Sequence, residues 1–270
     1  MVHLARAAQH LMRGRLSKLD GLYQRHVGQE CYVFGDGVSL KWMDLRQFAD
    51  RPSILGNMMI YHNDLASLNV PYCTITEPFW FWPVFPCRSG GRLRLLRHSM
   101  HVEYRKSIRQ NRDTTFFLNF SNYPVARFSN AVYVSRHYVP DFARINPFRD
   151  REDSHRGTLM FQLSLAIFLG FKKAYLLGHD YTHLPSRSLH FYEKGTGVLD
   201  GNRGFCREFI DYARAYIDLT TVTVDSRSET MDFVTYRNLT GKEPVFRENT
   251  EIIGEAKLRS LASWHGYAIF

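Results

Sequence analysis

The chain has 270 residues, of which 44% are hydrophobic and 23% are charged, and Lys and Arg outnumber Asp and Glu by nine. This length and composition are typical of a globular protein with a substantial core, and they exclude a disordered or fibrous chain. The positive charge favours anionic partners such as nucleotides, nucleic acid or anionic lipid, without choosing among them. The four cysteines form no C-x-x-C pair, so neither a zinc knuckle nor a disulfide framework is indicated.

The N-terminal segment, residues 1–28, is predicted to form a basic amphipathic helix over residues 2–26. Its apolar residues fall at helical spacing: Leu4, Ala7, Ala8, Leu11 and Met12. The helix either packs on the domain with a solvated basic face or lies on an anionic membrane surface, and its modest apolar stripe favours packing. No apolar run has membrane-spanning length and no secretory signal is evident, so we expect a cytoplasmic protein, with the inner face of the membrane as its site if this helix binds lipid.

Residues 29–240 alternate between short apolar runs and helical patterns. The strand-like runs are CYVFGDG, PSILGNMMIYH with its turn, PYCTITEPFWFW, TTFFLNF, AVYVS, KKAYLLGHD and TTVTVDS. The clearest helical patterns are GTLMFQLSLAIFLGF and REFIDYARAYID. The alternation predicts an α/β fold with a Rossmann-like, mostly parallel sheet and helices on both faces. Residues 241–270 are predicted to be a C-terminal extension packed on this domain.

A basic insertion at about residues 86–113 interrupts the alternation. Residues 88–112 contain eight Lys or Arg and one acid, Glu103, and an apolar stripe from Leu93 to Ile108 at helical spacing. The segment is interpreted either as a mobile basic lid or docking face, or as an amphipathic helix with a solvated outer face. No nucleic-acid recognition motif accompanies it, so nucleic acid is not an expected partner.

The stretch CYVFGDGVSL ends a strand in a glycine turn. Gly35 and Gly37 would allow a phosphate or ribose to approach the main chain, and Ser39 could cap the next turn or bind a phosphate oxygen. The turn lacks both the third glycine of the dinucleotide fingerprint and the lysine of a P-loop. These residues alone therefore leave a structural turn and a nucleotide site equally open.

Three later stretches place polar residues where a parallel sheet binds ligands. Asn57 follows the second strand, and Gly157 and Thr158 open a helix with Thr158 as a candidate N-cap. The strand KKAYLL ends in Gly178, His179 and Asp180. Ordinary capping and turn chemistry would also account for the first two, whereas polar groups at the carboxyl end of a strand favour a ligand crevice.

The order GDGVSL, Asn57, RGT and LGFKKAYLLGHD resembles the bacterial sialyltransferases of glycosyltransferase family 42 and the related 6-hydroxymethylpterin diphosphokinase-like domains. The resemblance extends in order over about residues 30–235. It implies a CMP-sugar donor bound by a set of residues listed by position: Gly35, Asp36, Gly37, Ser39, Asn57, Gly157 and Thr158. It also implies Asp180 at the donor pocket and Tyr192 or Tyr181 as hydrogen-bond donor to the leaving phosphate. Val38 stands where the family has proline.

Two further residues complete the predicted catalytic set. The family's general base is a histidine on a later loop, TGVLDGNRGF contains none, and His190 is the substitute candidate. Glu77 is a second candidate for acid–base chemistry or acceptor binding, with a strand-end turn as its alternative. The adjacent aromatic run, residues 79–82, favours core packing over a sugar platform. The spacing of His179, Asp180, His183 and His190 matches no known zinc pattern, so no metal site is predicted.

Three hypotheses follow from these patterns. The first is a glycosyltransferase that moves a sialic acid- or Kdo-like sugar from a CMP donor to a glycan or lipid-linked acceptor in bacterial surface polysaccharide synthesis, with no cofactor. The second is a diphosphokinase-like enzyme, which would need ATP and Mg²⁺. The third is a nucleotide- or glycan-binding module without turnover.

Overall fold

The structure is a computed structural model, and it describes residues 19, 21–89, 92–97, 100–134, 158–200, 207–225, 227–262 and 268–270. The strands in chain order are Glu30–Phe34 (β1), Pro52–Gly56 (β2), Asn69–Ile75 (β3), Val84–Ser89 (β4), Arg92–Arg97 (β5), Thr115–Asn119 (β6), Ala131–Val134 (β7), Lys173–Leu177 (β8), Ser186–Arg187 (β9), Leu199–Asp200 (β10), Asp218–Thr223 (β11) and Phe233–Thr235 (β12). The α-helices are Met100–Gln110 (α1), Thr158–Phe168 (α2), Arg207–Ala213 (α3), Tyr236–Thr240 (α4), Asn249–Ile252 (α5) and Glu255–Ala262 (α6). Short 3-10 helices include Val38–Trp42 after β1 and Asn57–Tyr61 after β2.

The main sheet has eight strands in the order β12-β11-β8-β1-β2-β3-β6-β7. Every neighbouring pair in it is parallel. The chain builds outward from β1 through β2, β3, β6 and β7, and then returns to place β8 on the other side of β1. The order therefore reverses between β1 and β8, which is the point where open α/β sheets form their ligand crevice.

Both faces of the sheet are buried, because successive side chains of a strand point to opposite faces. In β1, Phe34 packs in a core with α1, α5 and α6, whereas Val33 packs in a second core with α2 and α3. Phe116 and Phe117 of β6 divide between the two cores in the same way. The predicted fold class, a Rossmann-like parallel sheet covered on both faces, is confirmed.

The basic insertion differs from its prediction. Residues 84–89 and 92–97 pair as the antiparallel strands β4 and β5, and the helix of the described part of the insertion covers residues 100–110. The predicted helical stripe is therefore wrong at Leu93 and Leu96, which lie in β5, and right from Met100 onward, where Met100, Tyr104 and Ile108 are buried. Alternating Arg and Leu in RLRLLR fits a strand as well as a helix, and pairing with β4 decided the outcome.

Most of the predicted N-terminal helix, including all of residues 1–18, lies outside the described residues. Residues 21–28 form turns, so the prediction is wrong for residues 21–26. Gln24 has a left-handed φ of 53°, and its N–H donates to Phe168 O at the end of α2, as the N–H of His26 does to Leu169 O. Packing on α2 thus replaces the helical hydrogen bonds that the pattern predicted.

The described residues of the C-terminal extension, 241–262 and 268–270, pack on the core that α1 covers. Leu258, Leu261 and Ile269 are almost fully buried there. A search of the described part of the chain for helices that combine bilayer-spanning length with high hydropathy found none.

Candidate active site

A cavity of about 480 Å³ lies at the carboxyl ends of β1, β2, β3 and β8. This volume falls within the ~300–1,000 Å³ range of small-molecule sites. Five segments that follow or end strands form its walls, together with Thr158 of α2. The residues are Gly35, Asp36 and Gly37 after β1; Asn57 and Met58 after β2; Glu77 and Trp80 after β3; Gly178, His179, Asp180 and Tyr181 after β8; and Arg187 at the end of β9 with Leu189, His190 and Tyr192. Loops distant in sequence therefore meet at one edge of the sheet.

The structure brings most of the predicted site residues to this cavity. Those in its wall are Gly35, Asp36, Gly37, Asn57, Glu77, Thr158, Asp180, His190 and Tyr192. Ser39 does not line it, and Gly157 lies outside the described residues. Thr158 is the first described residue of α2, and its role as the N-cap stays a prediction.

The two glycines of the turn are required by loop packing. The N–H of Gly35 donates to Leu177 O at 2.8 Å, and that of Gly37 to Gly178 O at 2.7 Å. A Cβ at residue 35 or 37 would lie 2.6 or 2.5 Å from Gly178 O, so no larger residue fits. The carbonyl groups of Leu177 and Gly178 therefore take both amide donors, which leaves neither amide to hold a phosphate.

Asp180 joins the same two loops. Its carboxylate accepts hydrogen bonds from both the backbone N–H and the hydroxyl of Ser39. Both residues are buried, and burial raises the pKa of Asp180 above its ordinary value. The hydroxyl and the backbone N–H of Ser39 are thus both directed at Asp180, and its role toward a phosphate stays a prediction.

Asp36 and Asn57 present buried oxygen atoms to the cavity. Oδ1 of each has no hydrogen-bond partner among the described residues. The N–H groups of Met58 and Met59 donate to the Asp36 carboxylate, yet burial outweighs them and raises its pKa to about 6. Asn57 Nδ2 donates to Glu77 Oε1 at 2.9 Å and to Thr158 Oγ1 at 3.3 Å, which leaves the amide oxygen of Asn57 for a ligand. The polar atoms on this side of the cavity that the described residues leave unpaired are therefore acceptors, which suit the hydroxyl or amino groups of a ligand.

His179 contributes a neutral ring to the wall. It is buried, and burial lowers its pKa to about 3. Neither ring nitrogen has a hydrogen-bond partner in the described part of the structure. Over those same residues, no three His, Cys, Asp or Glu side chains are grouped to hold a metal ion.

His190 lies at the rim with its ring held on two sides. Its Nδ1 is 2.7 Å from Oε2 of Glu193, and its ring stacks on Tyr192 with centroids 4.9 Å apart and planes 8° apart. Its backbone forms a β-bridge with Gly37, while Phe191 N–H donates to Asp36 O at 2.9 Å. The predicted base is thus fixed directly to the glycine turn.

Two residues of the site were not among those predicted. Glu193 was identifiable from the His-x-x-Glu spacing in HFYE, which can close a turn on the histidine. Arg187 is the only Lys or Arg among the described residues that line the cavity. Its Nε is buried without a hydrogen-bond partner in that part of the chain, and its Nη2 is 3.3 Å from Asp225. Nothing in the sequence distinguished Arg187 from the other arginines.

Comparison with known proteins gives a structural likeness only. No family model matches the chain, and no curated protein matches it. Among solved structures, the sialyltransferase CstII from Campylobacter jejuni in complex with cytidine-5'-monophosphate is 14% identical, with a TM-score of 0.47 over 88% of this chain and 98% of that one. The sialyltransferase CST-II in complex with a trisaccharide acceptor and CMP is also 14% identical, with a TM-score of 0.48 over 87% and 99%. The motifs in the sequence resemble the same group of enzymes; at this identity the structural likeness concerns the fold and not individual residues.

Proposed function

We propose that the protein is a glycosyltransferase that moves a sialic acid- or Kdo-like sugar from a CMP-activated donor to a hydroxyl of a glycan or lipid-linked acceptor. The observation that carries the proposal is the cavity at the strand ends, with a carboxylate-held histidine at its rim. The ordered motifs from GDGVSL to LLGHD support the choice of donor. Surface polysaccharide synthesis, with the basic N-terminal segment near a membrane, is the setting that the resemblance implies.

The chemistry requires one proton acceptor and stabilisation of one leaving group. The acceptor hydroxyl attacks the anomeric carbon of the donor, its oxygen bonds to that carbon, and the bond from that carbon to the phosphate oxygen breaks. His190 takes the hydroxyl proton, since imidazole acts as a base near neutral pH. CMP leaves with the bonding electron pair on its phosphate.

Arg187 is the described cation that can face the departing phosphate. A guanidinium binds phosphate oxygens through charge-assisted hydrogen bonds that are about twice as strong as neutral ones. Its present partner, Asp225, is 43% exposed and 3.3–3.4 Å away, so that pairing is weak. The hydroxyl of Tyr192, or that of Tyr181, supplies a neutral donor on the same side. The acceptors Asp36 and Asn57 then face the hydroxyl and amino groups of the nucleoside or sugar.

Ligand binding tests the choice of nucleotide. We expect CMP to raise the unfolding temperature more than CDP, UDP, GDP or ATP, without Mg²⁺, because a ligand at 100 times its Kd stabilises the native state by about 2.7 kcal/mol. Stabilisation by ATP that needs Mg²⁺ would instead indicate the diphosphokinase-like enzyme. No response to any nucleotide would contradict the proposal.

Turnover distinguishes the transferase from a binding module. With CMP-sialic acid and a galactoside or sialoside acceptor, His190→Ala should lower kcat by about 10²–10⁴-fold, while the shift in unfolding temperature with CMP stays unchanged. His101→Ala, on α1 and outside the cavity wall, is the matched control and should retain full activity. Wild-type protein that binds CMP but transfers no sugar from CMP-sialic acid or CMP-Kdo would indicate the binding module.

A further inference from the structure

Glu193 is a buried carboxylate directed at His190. The residue is 6% exposed. A single oxygen, Oε2, accepts from the backbone N–H of His190 at 2.8 Å and lies 2.7 Å from its ring Nδ1. The N–H of Glu193 in turn donates to His190 O at 3.0 Å. The two residues therefore close a reciprocal turn that fixes both the backbone and the ring of the histidine.

We propose that Glu193 is the positioning residue for the general base, in that it fixes the tautomer and the orientation of the His190 ring. The proposal rests on the proposed function for the role of His190. A neutral imidazole has one N–H and one acceptor nitrogen, and a carboxylate only accepts. The proton of the ring is therefore held on Nδ1, and the lone pair is on Nε2. When Nε2 takes the proton of the acceptor hydroxyl, the adjacent carboxylate stabilises the imidazolium that forms.

The C-terminal extension keeps Glu193 in place. Its second oxygen, Oε1, accepts from Ala268 N–H at 3.4 Å, and the N–H of Lys194 donates to Ala268 O at 2.6 Å. The side-chain amide of Asn249 donates to Tyr192 O at 2.8 Å and to Ile269 O at 2.9 Å. These contacts with Ala268 and Ile269 of the C-terminal extension hold the carboxylate in position beside the ring of His190.

A capping role alone would not need a carboxylate. The amide oxygen of a glutamine could accept the backbone N–H of His190 equally well. The same oxygen would also accept from Nδ1–H, so Glu193→Gln keeps the cap and the tautomer and removes only the negative charge beside the imidazolium. Glu193→Gln therefore separates the two roles with almost no change in shape.

The experiment compares the full-length wild-type chain with Glu193→Gln, Glu193→Asp and the surface control Glu255→Gln. We expect Glu193→Gln to lower kcat for transfer from CMP-sialic acid by about 10-fold, because a neutral amide stabilises the imidazolium less than a carboxylate does, with the KM for the donor and the affinity for CMP unchanged. Glu193→Asp should recover part of kcat, and Glu255→Gln all of it. Long-range ¹H–¹⁵N NMR spectra of the imidazole rings, with His190 assigned by loss of its signals in His190→Ala, should show Nδ1–H in both the wild type and Glu193→Gln.

A kcat for Glu193→Gln within threefold of the wild type, or an Nε2–H tautomer in the wild type, would overturn the proposal. The wild-type spectrum gives this answer even if the variant does not fold. If the wild type transfers no sugar at all, the proposed function is wrong, and the NMR spectra alone then decide whether Glu193 sets the state of His190.

Discussion

At the scale of individual residues, hydrogen bonds between the loops decide which polar groups of the site can bind a ligand. The Gly35 and Gly37 amides and the Ser39 side chain, which the sequence suggested for phosphate, are occupied by the β8 loop. The groups that the described residues leave for a ligand are instead the oxygens of Asp36 and Asn57, and the cation is Arg187. Two predictions at this scale test Arg187 and Asp36 separately.

Arg187→Gln should weaken the binding of CMP by about 10–100-fold, because it removes hydrogen bonds to a charged group worth about 1.5–3 kcal/mol. Binding of cytidine, which has no phosphate, should be unchanged, and isothermal titration calorimetry measures both. Arg214→Gln is the matched control, since Arg214 pairs with Asp232 at a comparable 3.4 Å but does not line the cavity. Equal losses for CMP and cytidine would mean that Arg187 serves the fold rather than the phosphate.

Asp36→Asn should change how stability depends on pH. Because burial raises the pKa of Asp36 to about 6, the folded protein holds this proton more tightly than the unfolded chain. Both states are protonated below about pH 4, so the contribution of Asp36 to the free energy of unfolding should fall as pH rises from there through 6 and then stay level. The full effect is at most about 3 kcal/mol, from about 1.4 kcal/mol per pKa unit.

Urea unfolding of both proteins from pH 4 to 7 measures this effect. The stability of Asp36→Asn relative to the wild type should rise by up to that amount across the window. A difference that is independent of pH would show that the carboxylate is not destabilised by its burial.

At the scale of elements, helix α2 supports the strand ends that hold the site. Gln162 is fully buried in this helix, and its Nε2 donates to Phe34 O of β1 at 2.9 Å and to Ile54 O of β2 at 3.3 Å. A polar side chain within the apolar stretch LMFQLSLAIFLGF is thereby explained, because it satisfies carbonyl groups where the strands end. The sequence predicted the helix but not this contact.

Gln162→Leu should lower the free energy of unfolding by about 1–3 kcal/mol, the cost of leaving a buried carbonyl unsatisfied. Ser164→Ala is the control on the same helix, since the Ser164 hydroxyl bonds only to Met160 O one turn earlier and should cost under about 1 kcal/mol to remove. Chemical denaturation at pH 7 measures both variants. Equal stabilities for the two would contradict a role for Gln162 in holding β1 and β2.

At the scale of the whole molecule, the C-terminal extension connects distant parts of the chain to the loop of His190. Lys41, fully buried after β1, pairs with Glu248 and donates to Gly195 O at 2.8 Å. Glu248 also accepts from Gly195 N–H at 3.1 Å. One ion pair therefore joins the glycine-turn region, the loop of the base and the extension.

Glu248→Gln should lower the free energy of unfolding by about 3 kcal/mol, because it removes the carboxylate that contacts the buried Lys41 ammonium directly. Glu243→Gln is the control, since its pair with Arg237 is exposed at both ends and should contribute under about 1 kcal/mol. Thermal and urea unfolding give both values. A loss below 1 kcal/mol for Glu248→Gln would show that Lys41 finds other partners.

The sequence by itself determined most strands of the sheet and the helices α2 and α3, because these depend on local patterns that repeat along the chain. Apolar runs ending in Gly35, Gly56 and Gly178 fixed strands β1, β2 and β8, and polar residues just after them marked the edge where a cavity forms. The sequence did not predict the hairpin of β4 and β5, because RLRLLR fits the periodicity of a helix as well as that of a strand. Pairing with β4 makes this segment a strand. The sequence did not predict the edge strand β12 either, because the strand is as short as Phe233–Thr235.

Only the tertiary structure decided which groups remain for a ligand. Whether an amide of Gly37 or a hydroxyl of Ser39 is available depends on Gly178 and Asp180, some 140 residues away along the chain. The contacts of the loop that holds His190 divide in the same way. Glu193 lies three residues after His190 in the pattern H-x-x-E, whereas Ala268 and Asn249 contact Glu193 and Tyr192 only because the chain folds back on this loop. The sequence shows which donors and acceptors each residue carries. Which of them form hydrogen bonds depends on the part of the chain that folds against that residue.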